Sequence, residues 1–247
     1  MTGYPTVEGP FTDEVATAED ARALGADYVA AAGKVIASHV RNELAGAAVF
    51  DEPAIGLAPT PNDKWLACRI AMEEYGHHLK FNRLAAELGI DDPLTGRALS
   101  VFDYQVDTWT EFVVLKAIVD LAEVVLMEEL SDASYLPLRH LAMKLLPEER
   151  FHVAFGRRAS MELAAEPANR VALTRAVHDL VHFTLPFFGR STSANNELFR
   201  RWGIKRSTND EARADFIARS RRFVVDDLGL EFPEVSMHWH GDGAPGS

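Results

Sequence analysis

The sequence predicts an all-α protein, a four-helix bundle with additional C-terminal helices, and three observations carry that expectation. Apolar residues recur at three- and four-residue intervals along several long segments. No run shows the strict polar–apolar alternation of a half-buried strand. Two copies of Glu-x-x-His, Glu74-Tyr75-Gly76-His77 and Glu149-Arg150-Phe151-His152, lie on separate segments of this kind. Residues i and i+3 share a helix face, so each copy can present a carboxylate and an imidazole together.

Residues 1–12 carry Gly3, Pro5, Gly9 and Pro10 and read as an irregular arm. The Ala-rich segment 18–50 places Tyr28, Val35, Ile36, Val40 and Leu44 at core-facing intervals, with Glu43 on its inner side. A carboxylate buried there needs a partner, and a metal ion is one way to supply it. Pro53, Gly56, Pro59 and Pro61 predict a loop, with Asn62 or Asp63 as the next helix cap. A helix over 63–88 then carries Trp65, Ile70, Met72, Leu79 and Phe81 beside Glu74 and His77, and Gly89 ends it. His78 points about 100° away from His77 and reads as a flanking residue.

After a turn at 91–96 and an aromatic connector, Val101-Phe102-Asp103-Tyr104, a third long helix is expected over 108–130. Phe112, Leu115, Val119, Val124 and Met127 give it an apolar face. The fourth runs over 135–164, and Pro147 within it predicts a kink or local unwinding that helps aim Glu149 and His152. Segments 169–185 and 209–228 are also helical in pattern, the latter closed by Gly229. The chain reads as one domain, with the bundle over 18–165, added helices over 169–230 and a tail over 231–247 whose last residues, from Gly241, are frayed.

A chain of 247 residues with 47% hydrophobic content can bury a substantial core. Its net charge of −12 argues against a nucleic-acid surface. No charge-free apolar stretch is long enough to span a membrane, and no basic region followed by an apolar run opens the chain, so the expected location is cytoplasmic. The single cysteine, Cys68, excludes an internal disulfide and any cysteine-based zinc or iron–sulfur site. It sits in an apolar helical run and is expected to be buried and inert.

Each Glu-x-x-His has an acid upstream on a separate apolar segment. Glu43 lies 31 positions before Glu74, and Asp120 lies 29 before Glu149, with Glu123 one turn beyond it as an alternative. Two helices giving one carboxylate each and two giving Glu-x-x-His form the carboxylate-bridged dinuclear pattern of four-helix bundles. Four carboxylates and two imidazoles suit iron or manganese and leave positions open for O2. Glu73 and Glu148, directly before the motif glutamates, are placed either to orient ligand imidazoles or to take a solvated or interhelical role.

Beyond that set, Arg200, Arg201, Lys205 and Arg206 are the candidate cations for a phosphate-bearing substrate such as an acyl-CoA, with a plain solvated face as the alternative. Phe102, Tyr104, Trp109 and Phe112 line either a substrate channel or ordinary core. His178 and His182 lack a carboxylate in register and are expected to pack, and His238 and His240 are at most adventitious metal ligands.

The runs Glu73-Glu74-Tyr75-Gly76-His77, Ser134-Tyr135-Leu136-Pro137, Glu148-Glu149-Arg150-Phe151-His152 and Ile204-Lys205-Arg206-Ser207-Thr208-Asn209-Asp210-Glu211 resemble the catalytic-subunit family of phenylacetyl-CoA epoxidase. That family belongs to the ferritin-like di-iron oxygenases and is similar to benzoyl-CoA epoxidase. The resemblance implies a ferritin-like bundle holding two iron ions on Glu43, Glu74, His77, Asp120, Glu149 and His152, and so chooses Asp120 over Glu123. It implies an O2-dependent monooxygenase acting on an aromatic or related acyl substrate, an external reductase, and a homo- or hetero-oligomeric assembly. No dinucleotide fingerprint and no cluster-binding cysteines are present, in keeping with an outside source of electrons.

The chain departs from the family pattern in three places. Glu123 stands where the family has a small apolar residue, which adds a carboxylate beside the metals. Ile70 stands where it has a lysine, and the segment after His240 is shorter. These departures favour a di-iron oxygenase retooled for another small metabolite as the alternative. A structural subunit without a working metal site is opposed by the six filled ligand positions, and iron storage by the added C-terminal helices.

Overall fold

The computed structural model describes residues 11–241, so the first ten residues of the expected arm and the end of the expected tail lie outside it. The helices are, in order, α1 (Ala18–Ala23), α2 (Ala26–Gly46), α3 (Glu52–Leu57), α4 (Pro61–Leu88), α5 (Trp109–Leu130), α6 (Leu136–Ala164), α7 (Arg170–Thr184), α8 (Ala194–Arg201) and α9 (Asn209–Arg222). Among the described residues the only extended pairing is an isolated bridge between Val15 and Tyr135. The fold is the all-α, ferritin-like bundle expected. Helices α2 and α4 pack as one pair and α5 and α6 as the other, while α7 and α9 lie against α5.

Helix α5 is apolar on every side, and a helix of that kind is covered all round. Its residues from Phe112 to Met127 are buried except Glu123, which is largely covered. Lys116, Asp120 and Glu123 are the charged residues in that interval, so each must find a partner inside the protein. The backbones of α5 and α6 come close together at Gly156, where a Cβ would lie 2.4 Å from the Ala117 nitrogen and 2.7 Å from the Val113 oxygen.

The starts of the helices follow their local chemistry. Thr108 with Glu111 and Thr208 with Glu211 form capping boxes for α5 and α9. Thr60 rather than Asn62 or Asp63 caps α4, because Pro61 takes the first helical position and puts the Thr60 hydroxyl 3.1 Å from the Asp63 N–H it accepts from. Gly89 ends α4 in the left-handed conformation at φ 80°.

Several expectations are corrected. The loop predicted around Pro53 is largely helical, since Pro53 sits in the first turn of α3, where no backbone N–H is needed. A π-helical turn, Ala47–Asp51, joins α2 to α3, and its wider winding changes the helix phase so that Asp51 is fully buried. The unwinding expected at Pro147 is absent: α6 stays α-helical throughout, held along its length by α5. Cys68 is exposed, as are Trp65, Met72 and Leu79. These four share the outward face of α4, while Leu66, Ala67, Ile70, Glu74 and His77 point inward.

Helix α8 has no counterpart among the expected segments. Its C-terminal Trp202 packs edge-on to Phe11 and Tyr28 at ring distances of 5.5 and 5.4 Å. The Ser134 hydroxyl donates to the Trp202 carbonyl at 2.7 Å and meets the Tyr28 hydroxyl at 2.9 Å, which fixes α8 to the bundle.

Candidate metal centre

The four bundle helices bring Glu43 from α2, Glu74 and His77 from α4, Asp120 from α5, and Glu149 and His152 from α6 into one buried nest, each no more than 7% exposed. Their polar atoms fall into two overlapping groups, Glu43 with Glu74, His77 and Glu149, and Glu74 with Asp120, Glu149 and His152. Glu74 and Glu149 belong to both, the position bridging carboxylates would take.

His77 Nδ1 lies 2.8 Å from Glu149 Oε1, 3.6 Å from Glu43 Oε2 and 3.7 Å from Glu74 Oε2. His152 Nδ1 lies 3.2 Å from Glu74 Oε1 and 3.6 Å from both Asp120 Oδ2 and Glu149 Oε2. Close as they are, Nδ1 of both histidines and Glu149 Oε1 are buried without a hydrogen-bond partner. Buried polar atoms are normally satisfied, and a set of donors all orphaned toward a common centre fits a bound cation. The donor set of carboxylates and imidazoles suits a pair of divalent iron or manganese ions.

The opposite edge of each imidazole is held from outside the nest. Glu148 Oε2 lies 2.7 Å from His77 Nε2, and Glu73 Oε2 lies 2.9 Å from His152 Nε2. The acids are exchanged: the acid beside each motif glutamate serves the histidine of the other motif. Arg69 donates to Glu73 at 2.8 Å, fixing that carboxylate in turn. A carboxylate on Nε2 leaves Nδ1 as the inward-facing lone pair, the tautomer a metal ligand needs.

Sequence reasoning missed Lys116 and Asp51. The Lys116 ammonium, 2% exposed, lies 2.7 Å from Asp51 Oδ1, 3.1 Å from Asp120 Oδ2 and 3.3 Å from Glu74 Oε1. Its signal was legible as the one lysine in the apolar run of α5, four residues before Asp120. Asp51 had none, because its burial depends on the π turn.

The electrostatics report an excess of buried negative charge. Burial pushes Glu43 up to about 7 and Asp51 up to about 6, against the pull of His39 and His77 on the first and of Lys116 on the second. Burial would also raise Glu74, but Lys116 and the two imidazoles outweigh it and hold that carboxyl well below its ordinary value. Burial disfavours a charged His152, yet the surrounding carboxylates raise it well above the usual histidine range.

The sequence profile of the family described as "Phenylacetic acid catabolic protein" matches residues 15–245. The chain belongs to this family. It is 30% identical over 215 residues to one named subunit of the "1,2-phenylacetyl-CoA epoxidase" of Escherichia coli (strain K12), an overlap covering 83% of this chain and 69% of the relative.

In this member of the phenylacetic acid catabolic protein family the remaining candidates divide clearly. Arg200, Arg201, Lys205 and Arg206 line one surface cleft of about 850 Å³ together with Arg139. Arg201 and Arg206 are paired there with Asp27 at 3.2 Å and Asp132 at 3.5 Å. A second cavity of about 440 Å³ shares Lys205 with that cleft and is bordered by His39, Asn42 and Phe187. A space of about 40 Å³ beside Glu43, Asp120 and Glu149 shares Asn42 and Phe187 with the second.

Of the four candidate channel aromatics only Phe102 borders that innermost space. Trp109 meets Phe155 edge-on, Phe112 meets it at a tilt, and Tyr104 meets Phe183 edge-on, all as packing. His78 Nδ1 donates to the Val40 carbonyl, 2.8 Å away, and stays outside the nest. His178 and His182 pack against one another at a tilt, and His238 pairs with Asp210 at 2.8 Å. Glu123 stands beside Glu43 and His39 rather than in either central group.

Proposed function

We propose that this chain is the metal-bearing subunit of an O2-dependent di-iron monooxygenase that transfers one oxygen atom to an aromatic or related acyl-CoA. The observation that carries the proposal is the pair of overlapping donor groups sharing Glu74 and Glu149, with inward-facing imidazole nitrogens that have no other partner. Family membership and the likeness to an epoxidase component support the same reaction class. Two iron ions held by Glu43, Glu74, His77, Asp120, Glu149 and His152 would supply O2 activation, one atom going to the substrate and the other leaving as water with two electrons and two protons from outside.

The chain's own residues prepare that chemistry in three ways. Glu73 and Glu148 fix the ring orientation of His152 and His77. The Lys116 ammonium holds Glu74, Asp120 and Asp51 together against their mutual repulsion. Phe50, Phe102, Val119 and Phe187 wall the innermost space with apolar surface, which excludes water and accepts an apolar acyl group. That space holds little more than a water molecule, whose share of liquid volume is roughly 30 Å³, so an aryl group requires Phe102 or Phe187 to swing aside.

The cavities that share Asn42, Phe187 and Lys205 outline a path for the rest of the substrate. Phosphates would be met in the outer cleft, where Lys205 has no carboxylate within 4.0 Å among the described residues. Burial lowers the pKa of that ammonium, and a bound phosphate would restore its charge. A hetero-oligomer and a separate reductase complete the proposal. The relative is named as one component of its enzyme, and the outward α4 stripe of Trp65, Cys68, Met72 and Leu79 offers apolar surface to a partner.

Anaerobic loading with ferrous iron followed by metal analysis tests the centre, with about two irons per chain expected. A chain that takes up none is a structural subunit instead. Oxygen-dependent product from phenylacetyl-CoA or benzoyl-CoA, with a reductase supplied, tests the substrate class. No turnover of either by the iron-loaded protein points to another metabolite.

A further inference from the structure

We propose that His39, Glu43 and Glu123 form a third divalent-cation site on the flank of the central nest. His39 and Glu43 are one turn apart on α2, and Glu123 is one turn beyond Asp120 on α5, so the two helices face these three side chains toward one another. His39 Nδ1 lies 3.1 Å from Glu123 Oε1 and 3.6 Å from Glu43 Oε1. Candidate ligand atoms of the three residues all lie within 4.8 Å of one another.

The decisive feature is what these atoms do not do. His39 is 4% exposed, yet its Nδ1 makes no hydrogen bond, and neither do Glu43 Oε1 and Glu123 Oε1, although all three are buried. The plane of the ring is set by its stacking on Phe81 at 4.6 Å with an interplanar angle of 12°. A pinned imidazole aimed between two carboxylate oxygens, off the line of either, suits a cation placed among them better than a direct bond. One imidazole and two carboxylates form a three-donor set of the kind that binds manganese, ferrous iron or zinc with open positions for water.

The site has a way in and a way on. His39 borders the 440 Å³ cavity on its outer side, and Glu123 borders the 40 Å³ space beside the centre. Glu43 divides its two oxygens, Oε1 toward His39 and Oε2 toward His77 at 3.6 Å, so the same carboxylate would bridge the third site to the central pair. The third site rests on the di-metal proposal through Glu43 alone. The rival arrangement is an imidazolium at His39 ion-paired to Glu123, which the carboxylates favour by raising His39 to about 9 against the burial that lowers it.

The test is anomalous diffraction at the manganese edge on crystals of the full chain soaked in Mn2+, for the wild type, His39→Gln and Glu123→Gln. The expected wild-type map has a peak among His39, Glu43 and Glu123 besides those of the central groups, and each variant loses that peak alone. Equilibrium dialysis should show the same loss, from about three to about two Mn2+ per chain. Central peaks with nothing at His39 overturn the third site and leave the proposed function standing. A flanking peak that survives both substitutions also overturns it. Missing central peaks count against the di-metal function, whatever appears at His39. If a variant fails to fold, the wild-type map decides by itself.

Discussion

Gly156 sits where α6 crosses the backbone of α5, and substituting it with alanine tests whether this crossing sets the geometry of the nest. The new methyl carbon would lie 2.4 Å from the Ala117 nitrogen and 2.7 Å from the Lys116 carbonyl carbon and the Val113 oxygen. Carbon contacts settle near 3.5 Å, so the two helices must separate by about 1 Å, and backbone atoms cannot step aside as a flexible side chain would. Overpacking of this kind costs about 3 kcal/mol, while replacing a mid-helix glycine by alanine returns about 1 kcal/mol of helix propensity. The net loss of about 2 kcal/mol corresponds to a melting-temperature drop of roughly 4–8 °C for a chain of this size.

His152 is one turn from Gly156, and Lys116 and Asp120 line the facing helix, so a shift of that size exceeds the roughly 0.5 Å tolerance of a preorganised site and should also lower metal uptake. The control is Gly76→Ala, on the same kind of helix but with nothing closer than the Lys80 ammonium at 3.9 Å. That substitution should stabilise by about 0.5–1 kcal/mol. Thermal melting followed by circular dichroism reads both. If Gly156→Ala melts at or above the wild type, or the two variants shift in the same direction, the crossing does not set the site.

Four further outcomes are expected. Lys116→Met leaves Asp51, Glu74 and Asp120 without their shared cation and should cost about 3–5 kcal/mol in metal-free protein, but clearly less once divalent ions are bound; equal losses in both melts would remove Lys116 from the charge balance of the nest. Glu148→Ala and Glu73→Ala should each weaken metal affinity by about 10- to 100-fold in calorimetric titrations, and unchanged affinity would make them surface acids. Divalent metal at 100 times its dissociation constant should stabilise the fold by about 2.7 kcal/mol, and a chelator should reverse the shift; a melting point indifferent to both speaks against a native-state site. Cys68 should react with a thiol reagent at one equivalent in the folded protein, and resistance until denaturation would contradict its exposure.

Much of this architecture was legible because helical spacing carries it. Two Glu-x-x-His motifs and Glu43 identified five of the six side chains that meet, spacing left Asp120 or Glu123 as the sixth until the family resemblance chose Asp120, and Gly89, Thr108 and Thr208 mark helix ends through ordinary capping chemistry. What escaped depends on phase and on tertiary placement. Trp65, Cys68, Met72 and Leu79 look like core by composition, but counting turns from Glu74 puts them on the opposite side of α4. His39 was readable as the residue one turn before Glu43, and Lys116 as one turn before Asp120, had i,i+4 partners of the ligands been sought. Asp51 could not be read at all, since a π turn alters the phase without leaving a sequence mark. Helix α8 is too short for periodicity to announce and owes its place to Trp202 and Ser134.

The exchange of Glu73 and Glu148 between the two motifs means that neither α4 nor α6 contains a self-sufficient half of the nest. An injury to one helix is felt on its neighbour: loss of Glu148 from α6 frees a ring on α4, and loss of Glu73 from α4 frees one on α6. The two segments lie 75 positions apart in the chain, yet an exchanged α4 without an acid at position 73 would leave the His152 ring of the untouched α6 unsupported.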